Sequence, residues 1–61
     1  MNEFSIGDNV LIKSENDTFN DNKGVIVEVN FYEKLGYMYM IKIDETSIKT
    51  LVYERELVKV S

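Results

Sequence analysis

The chain has 61 residues, seven basic and eleven acidic side chains, a formal charge of −4 and a 44% hydrophobic content, with neither cysteine nor histidine. That length is one domain, residues 1–61, near the lower limit for folding without a staple. Without cysteine and histidine, a disulfide framework, a Ser-His-Asp or Cys-His nucleophile system and an ordinary zinc site are all excluded.

The elements follow in chain order. Runs of β-branched and aromatic residues, punctuated by Gly7, Gly24 and Gly36 in a chain without proline, read as strands. Gly7-Asp8 is a turn that feeds the first strand, expected over Asn9–Ser14 with Val10 and Ile12 on one face. Glu15–Lys23 is a polar loop whose Asn and Asp residues suit turns, with Phe19 folding inward as its anchor. Strand two is expected over Gly24–Phe31. Ile26 and Val29 lie three apart, which strict alternation forbids for one face, so this strand needs a bulge or sharp bend.

Strand three is expected over Tyr37–Asp44 and strand four over Ile48–Tyr53, joined by a tight reversal at Asp44–Ser47. With Glu45 and Thr46 at its centre, Ile43 pairs with Ile48, Ile41 with Thr50 and Tyr39 with Val52. The opposite face then pairs Lys42 with Lys49, Met40 with Leu51 and Met38 with Tyr53. Glu54–Glu56 suits a single 3₁₀ turn, and a fifth strand covers Leu57–Val60. No window sustains a helical period.

Five short antiparallel strands cannot bury one face while flat, so the sheet must curl. The expected fold is all-β, a small five-stranded, partly open barrel of the SH3 kind. Its expected core is Phe4 or Ile6, then Val10, Ile12, Phe19, Ile26, Val29, Tyr39, Ile41, Ile43, Val52, Leu57 and Val60.

The order Phe4-x-Ile6-Gly7-Asp8-x-Val10-x-Ile12, then Phe19, then Lys23-Gly24-Val25-Ile26-x-x-Val29, resembles a KOW motif in an SH3-like barrel. The ending Val52-Tyr53-x-x-x-Leu57-Val58-x-Val60 is similar to the closing strands of such domains. KOW domains occur in transcription elongation factors of the NusG type and in ribosomal proteins, and several phage or plasmid proteins share the spacing. The resemblance covers nearly the whole chain. It implies the fold, and it implies nucleic-acid or transcription-complex binding as one function. The chain departs from the pattern ahead of Phe19, where a glycine and proline are usual and Glu15, Asn16, Asp17 and Thr18 stand.

Charge argues against direct nucleic-acid binding. Residues 1–36 hold seven acids and three bases, and the long loop carries Glu15, Asp17 and Asp21 against Lys23. A phosphate-tracking surface needs clustered Lys or Arg. The loop also lacks the glycine and glutamate spacing of a calcium-binding EF-hand. Paired carboxylates such as Glu54 and Glu56 need a deep pocket to act as acid and base, and 61 residues leave little room for one. The chain therefore reads as no enzyme, with no metal and no cofactor.

Five of seven aromatics, Phe31, Tyr32, Tyr37, Tyr39 and Tyr53, fall in strands two to four. The hairpin register puts Met38, Met40, Leu51 and Tyr53 on its outward face, an apolar patch of the kind that binds partners. The expected function is a protein-interaction module, acting on a partner protein or by self-association. Its expected contact residues are Met38, Met40, Leu51 and Tyr53, with Glu15, Asp17 and Asp21 of the acidic loop.

Six lysines to one arginine and six asparagines suggest an AT-rich coding sequence, as in low-GC bacteria and their phages or mobile elements. An accessory or inhibitory protein of such an element fits the size. The alternatives are the KOW-like nucleic-acid or transcription-complex binder and an acidic decoy occupying the DNA site of a regulator or nuclease. No apolar run reaches the ~18 residues of a membrane span. The start Met1-Asn2-Glu3-Phe4 lacks the charge and apolar stretch of a signal peptide, so a cytoplasmic location is expected.

Overall fold

The computed structural model describes residues 3–60. The leader expectation rests partly on Met1 and Asn2, which lie outside that range. Five strands form one antiparallel sheet: β1 (Asn9–Ile12), β2 (Lys23–Tyr32), β3 (Gly36–Ile43), β4 (Lys49–Tyr53) and β5 (Leu57–Lys59). A 3₁₀ turn over Glu54–Glu56 separates the last two. The strand order is β4-β3-β2-β1-β5, so the first strand lies between the second and the fifth. The two outer strands do not pair with each other, and the result is a small, partly open all-β barrel.

The strands differ from expectation by one or two residues at their ends. β1 stops at Ile12 because the next residues leave β2 for other partners. The Lys13 amide donates to the Glu56 carbonyl at 2.7 Å, and the Ser14 amide to Asn20 Oδ1 at 2.7 Å. The long loop is then built from turns tied to their own side chains. Asp17 Oδ1 accepts from the Phe19 amide at 2.8 Å, and Asp21, at φ +71°, donates its amide to the Ile12 carbonyl at 2.7 Å. Phe19 is half-buried against the core, as its place in a polar loop implies.

The bulge in β2 is present. Ile26 pairs with Ile41, while Glu28, not Val27, pairs with Met40. That extra residue lets Ile26 and Val29 face the same side. Gly24 lies in β2 between Val10 of β1 and Ile43 of β3. A Cβ there would stand 2.5 Å from Ile41 Cγ2 and 2.5 Å from the Lys42 carbonyl oxygen. Its requirement is thus close approach of neighbouring chain, not a left-handed backbone.

The β3–β4 register is the one expected from the sequence, from Met38 opposite Tyr53 to Lys42 opposite Lys49, with the Ile43 amide donating to the Ile48 carbonyl at 2.9 Å. The core is Phe4, Val10, Ile12, Ile26, Tyr39, Ile41, Ile43, Val52 and Leu57, with Phe19, Val29 and Tyr37 packed against it.

Of the expected core positions, the alternative of Phe4 or Ile6 resolves to Phe4, and Val60 departs from expectation. Phe4 is buried and Ile6 is 66% exposed, because Ile6 sits at the corner of a turn that the Asp8 amide closes onto the Ser5 carbonyl at 3.0 Å. Val60 is exposed rather than core. Leu57 faces inward, and a position three residues on along an unbulged strand faces outward.

Candidate functional site

The expected outward patch begins from alternation along β3. Tyr39, Ile41 and Ile43 are buried in the core, so Met38, Met40 and Lys42 project from the other side. Leu51 and Tyr53 face that same side from β4. Exposure along this row is uneven. Leu51 is 39% exposed and Met40 and Tyr53 are half-buried, but Met38 is buried. Its register neighbours are Asn30 and Tyr53, and the Arg55 guanidinium carbon lies 4.3 Å from the centre of the Tyr53 ring. The accessible part of the patch is therefore Met40, Leu51 and Tyr53, with Lys42 and Lys49 alongside. Met38 lies on the same face but is closed off from solvent, at 6% exposure.

Two of the three acidic loop residues have structural partners. Asp21 Oδ1 lies 2.6 Å from Lys13 Nζ in an exposed ion pair, and Asp17 caps the Phe19 amide. Glu15 is exposed at the start of the loop's turns. The loop is held to the 3₁₀ turn by Ser14 Oγ, which donates to Glu56 Oε2 at 2.6 Å. The other oxygen of the same carboxylate, Glu56 Oε1, accepts the Tyr53 amide at 2.9 Å, so Glu56 stands between the loop and the hairpin patch.

A second exposed apolar group lies at the far end of the β2–β3 hairpin. β1 pairs with β2 only over Lys23–Val25, and β2 and β3 remain paired out to Tyr32 and Gly36. The hairpin end is thus an arm. The Leu35 amide donates to the Tyr32 carbonyl at 3.1 Å, and Gly36 at φ +83° supplies the left-handed step that returns the chain. Phe31 is 63% exposed, Tyr32 42% and Leu35 53%. Phe31 stands edge-on to Tyr37 with ring centroids 5.0 Å apart, and Tyr37 packs onto the core. The paired arm therefore presents an exposed aromatic ring. The sequence offered the aromatic concentration as its signal, and strand pairing supplies the exposure.

One polar constellation sits at the other end of the aromatic row. Tyr39 Oη donates to Glu54 Oε2 at 2.5 Å, and the same oxygen accepts the Glu3 amide at 2.9 Å. The Phe4 amide donates to Tyr39 Oη at 3.4 Å, and the Phe4 ring meets the Tyr39 ring edge-on at 5.4 Å. Burial, then the bond to the Glu54 carboxylate, pushes the Tyr39 hydroxyl up to about 12. The Tyr39 hydroxyl and the Glu3 amide hold the Glu54 carboxyl below its ordinary value. These groups satisfy one another and tie the N-terminal segment to the barrel.

Among the described residues, no group of three or more carboxylates is arranged to hold a metal ion, and no helix is long and apolar enough to cross a membrane. No family model, no curated protein and no solved structure matches the chain.

Proposed function

We propose that this chain is a non-enzymatic, SH3-like protein-interaction module that docks a partner protein through the end of its β2–β3 hairpin. The observation that carries this reading is Phe31. A phenylalanine left 63% exposed, yet fixed edge-on against Tyr37, is a preordered apolar anchor. Tyr32 and Leu35 enlarge the apolar area around it. The strand order, the bulged second strand and the 3₁₀ turn before β5 support the SH3-like and KOW-like resemblance.

Charge favours a protein over a nucleic acid as partner. Lys13 and Lys59 already lie against Asp21 and Asp8, at 2.6 and 3.6 Å, and Arg55 lies over Tyr53. The AT-rich compositional signal supports an accessory or inhibitory role in a phage or mobile element of a low-GC bacterium, inside the cell.

The test places a photo-crosslinking phenylalanine analogue at Phe31 and, as control, at half-buried Phe19. A discrete crosslinked protein from cells at position 31 alone supports the reading. Crosslinking to nucleic acid, or no adduct specific to position 31, overturns it.

A further inference from the structure

The exposed edge of β4 has a hydrogen-bonding pattern that complements itself. The Ile43 amide donates to the Ile48 carbonyl, so position 48 turns its backbone toward β3. Alternation along an antiparallel pair gives the same direction to Thr50 and Val52, opposite Ile41 and Tyr39. The backbone groups of Lys49, Leu51 and Tyr53 therefore point away from the sheet. The Tyr53 amide is taken by Glu56 Oε1 at 2.9 Å. Lys49 and Leu51 remain, with two outward donors and two outward acceptors.

We propose that a second copy of this chain pairs with that edge, antiparallel, about a two-fold axis through Thr50. Lys49 then lies opposite Leu51 of the second copy, and Leu51 opposite its Lys49. Each pair exchanges two backbone bonds, so four bonds use all four outward donors and acceptors. The same axis sets Thr50 against Thr50 of the second copy, a favourable cross-strand pair. It also brings Ile48, 46% exposed, opposite Val52 of the second copy, and sets Leu51, 39% exposed, beneath the Lys49 stem of the second copy. The two exposed large apolar side chains of this segment are both covered. The β5 edge is three residues long against five for β4, so it offers less pairing.

The arrangement carries a diagnostic cost. Lys42 and Lys49 are register partners on the outward face, and the axis sets the two Lys49 side chains on adjacent strands, diagonal to each other across the seam. Like charges on adjacent strands repel, and salt screens them. The dimer must therefore tighten with ionic strength, the opposite of a contact between unlike charges. Four backbone bonds and a small apolar area place it at the weak end of interfaces. This self-association uses β4 and is independent of docking through the hairpin end.

The test is sedimentation equilibrium from about 10 µM to 1 mM, at low and high salt, with amide exchange followed residue by residue. The expected result is a monomer–dimer equilibrium that strengthens with salt, with exchange at the Lys49 and Leu51 amides slowing as concentration rises. Leu51→Pro removes an outward amide while leaving the β3 ladder intact, and it should abolish dimer and protection without loss of the fold. If that variant does not fold, the wild-type exchange pattern decides alone. A monomer at every concentration, protection at β5 instead, or a dimer that survives in folded Leu51→Pro overturns the proposal.

Discussion

The hydroxyl of Tyr39, at the centre of the core, donates to Glu54 of the 3₁₀ turn at 2.5 Å. One bond thereby joins β3, the turn that leads to β5 and, through the Glu3 amide on the same carboxylate oxygen, the N-terminal segment. Tyr39→Phe keeps the ring and its edge-on contact with Phe4 but removes the bond. A hydrogen bond to a charged acceptor is worth about 1.5–3 kcal/mol when buried, and Glu54 is only half-buried. The expected loss is about 1–2 kcal/mol in urea denaturation. An unchanged midpoint would show that the bond contributes nothing net.

The same pair makes stability depend on pH at both ends of the range. The Glu54 carboxyl is held below its ordinary 4.5 by Tyr39 first and the Glu3 amide second. Its contribution is fully present above the unfolded value and is lost as pH falls through the lower folded value. Tyr39 is raised from 10.0 to about 12, so the stability it contributes is present below 10.0 and is lost as pH rises toward 12. The denaturation midpoint against pH should form a plateau that falls at both ends. In Tyr39→Phe the alkaline fall should shrink, and the acid fall should move toward the ordinary glutamate range.

Gly24→Val should destabilise strongly, whereas Lys49→Ala should leave the melting temperature of dilute protein unchanged. The valine Cβ would meet Ile41 Cγ2 and the Lys42 carbonyl oxygen at 2.5 Å, and the carbonyl is backbone that cannot swing aside. Overpacking of this kind costs about 1–3 kcal/mol or more. Lys49 is exposed. Equal melting temperatures would mean that β2 and β3 separate easily at this point.

Glu45→Gly should stabilise. Glu45 holds φ +65° in the turn that the Thr46 amide closes onto the Ile43 carbonyl at 3.2 Å. A left-handed conformation costs a side-chain-bearing residue roughly 1–2 kcal/mol, which glycine avoids while losing some unfolded-state entropy. A net gain of about 0.5–1 kcal/mol is expected, read as a higher melting temperature. A lower one would show that the Glu45 side chain contributes more than its backbone costs.

Period-two logic made much of this fold legible. The three-residue offset of Ile26 and Val29 demanded the bulge between Ile26 and Glu28, and the Asp44–Ser47 reversal fixed the whole β3–β4 register. Parity also contains the reason Val60 is not core, since Leu57 and Val60 share the same odd offset with no bulge to reconcile them. Parity gives the side on which a residue lies but not its depth. Met38 and Met40 point the same way, yet one is buried and the other is not. That depends on sheet curvature and on where neighbours such as Tyr53 and Arg55 settle. Phe31 was visible as an aromatic, but its exposure follows from how far the β2–β3 arm runs past β1.

The two methionines of β3 provide the sharpest test of that distinction. Both project from the side opposite Tyr39 and Ile41, and a flat sheet would expose both. Met38 is instead 6% exposed, between Asn30 and Tyr53 by register. Met38→Asp would place a carboxylate where an apolar side chain is buried, and the protein must either hold it neutral or open the sheet. A loss of about 3 kcal/mol or more is expected, enough to unfold a large share of a domain with marginal stability. Met40→Asp with Tyr53→Ser changes the half-buried members of the same row. Tyr53→Ser removes the Arg55 stacking, worth about 0.5–1 kcal/mol at an exposed site, and Asp at position 40 gains Lys42 nearby on the same face. That double variant should remain folded by far-UV circular dichroism, with a modest fall in melting temperature. Met38→Asp, measured beside it, should not show a cooperative transition of wild-type height. If the order is reversed, with the double variant unfolded and Met38→Asp intact, the outward row is packed at Met40 and open at Met38, and the accessible patch lies nearer the hairpin arm.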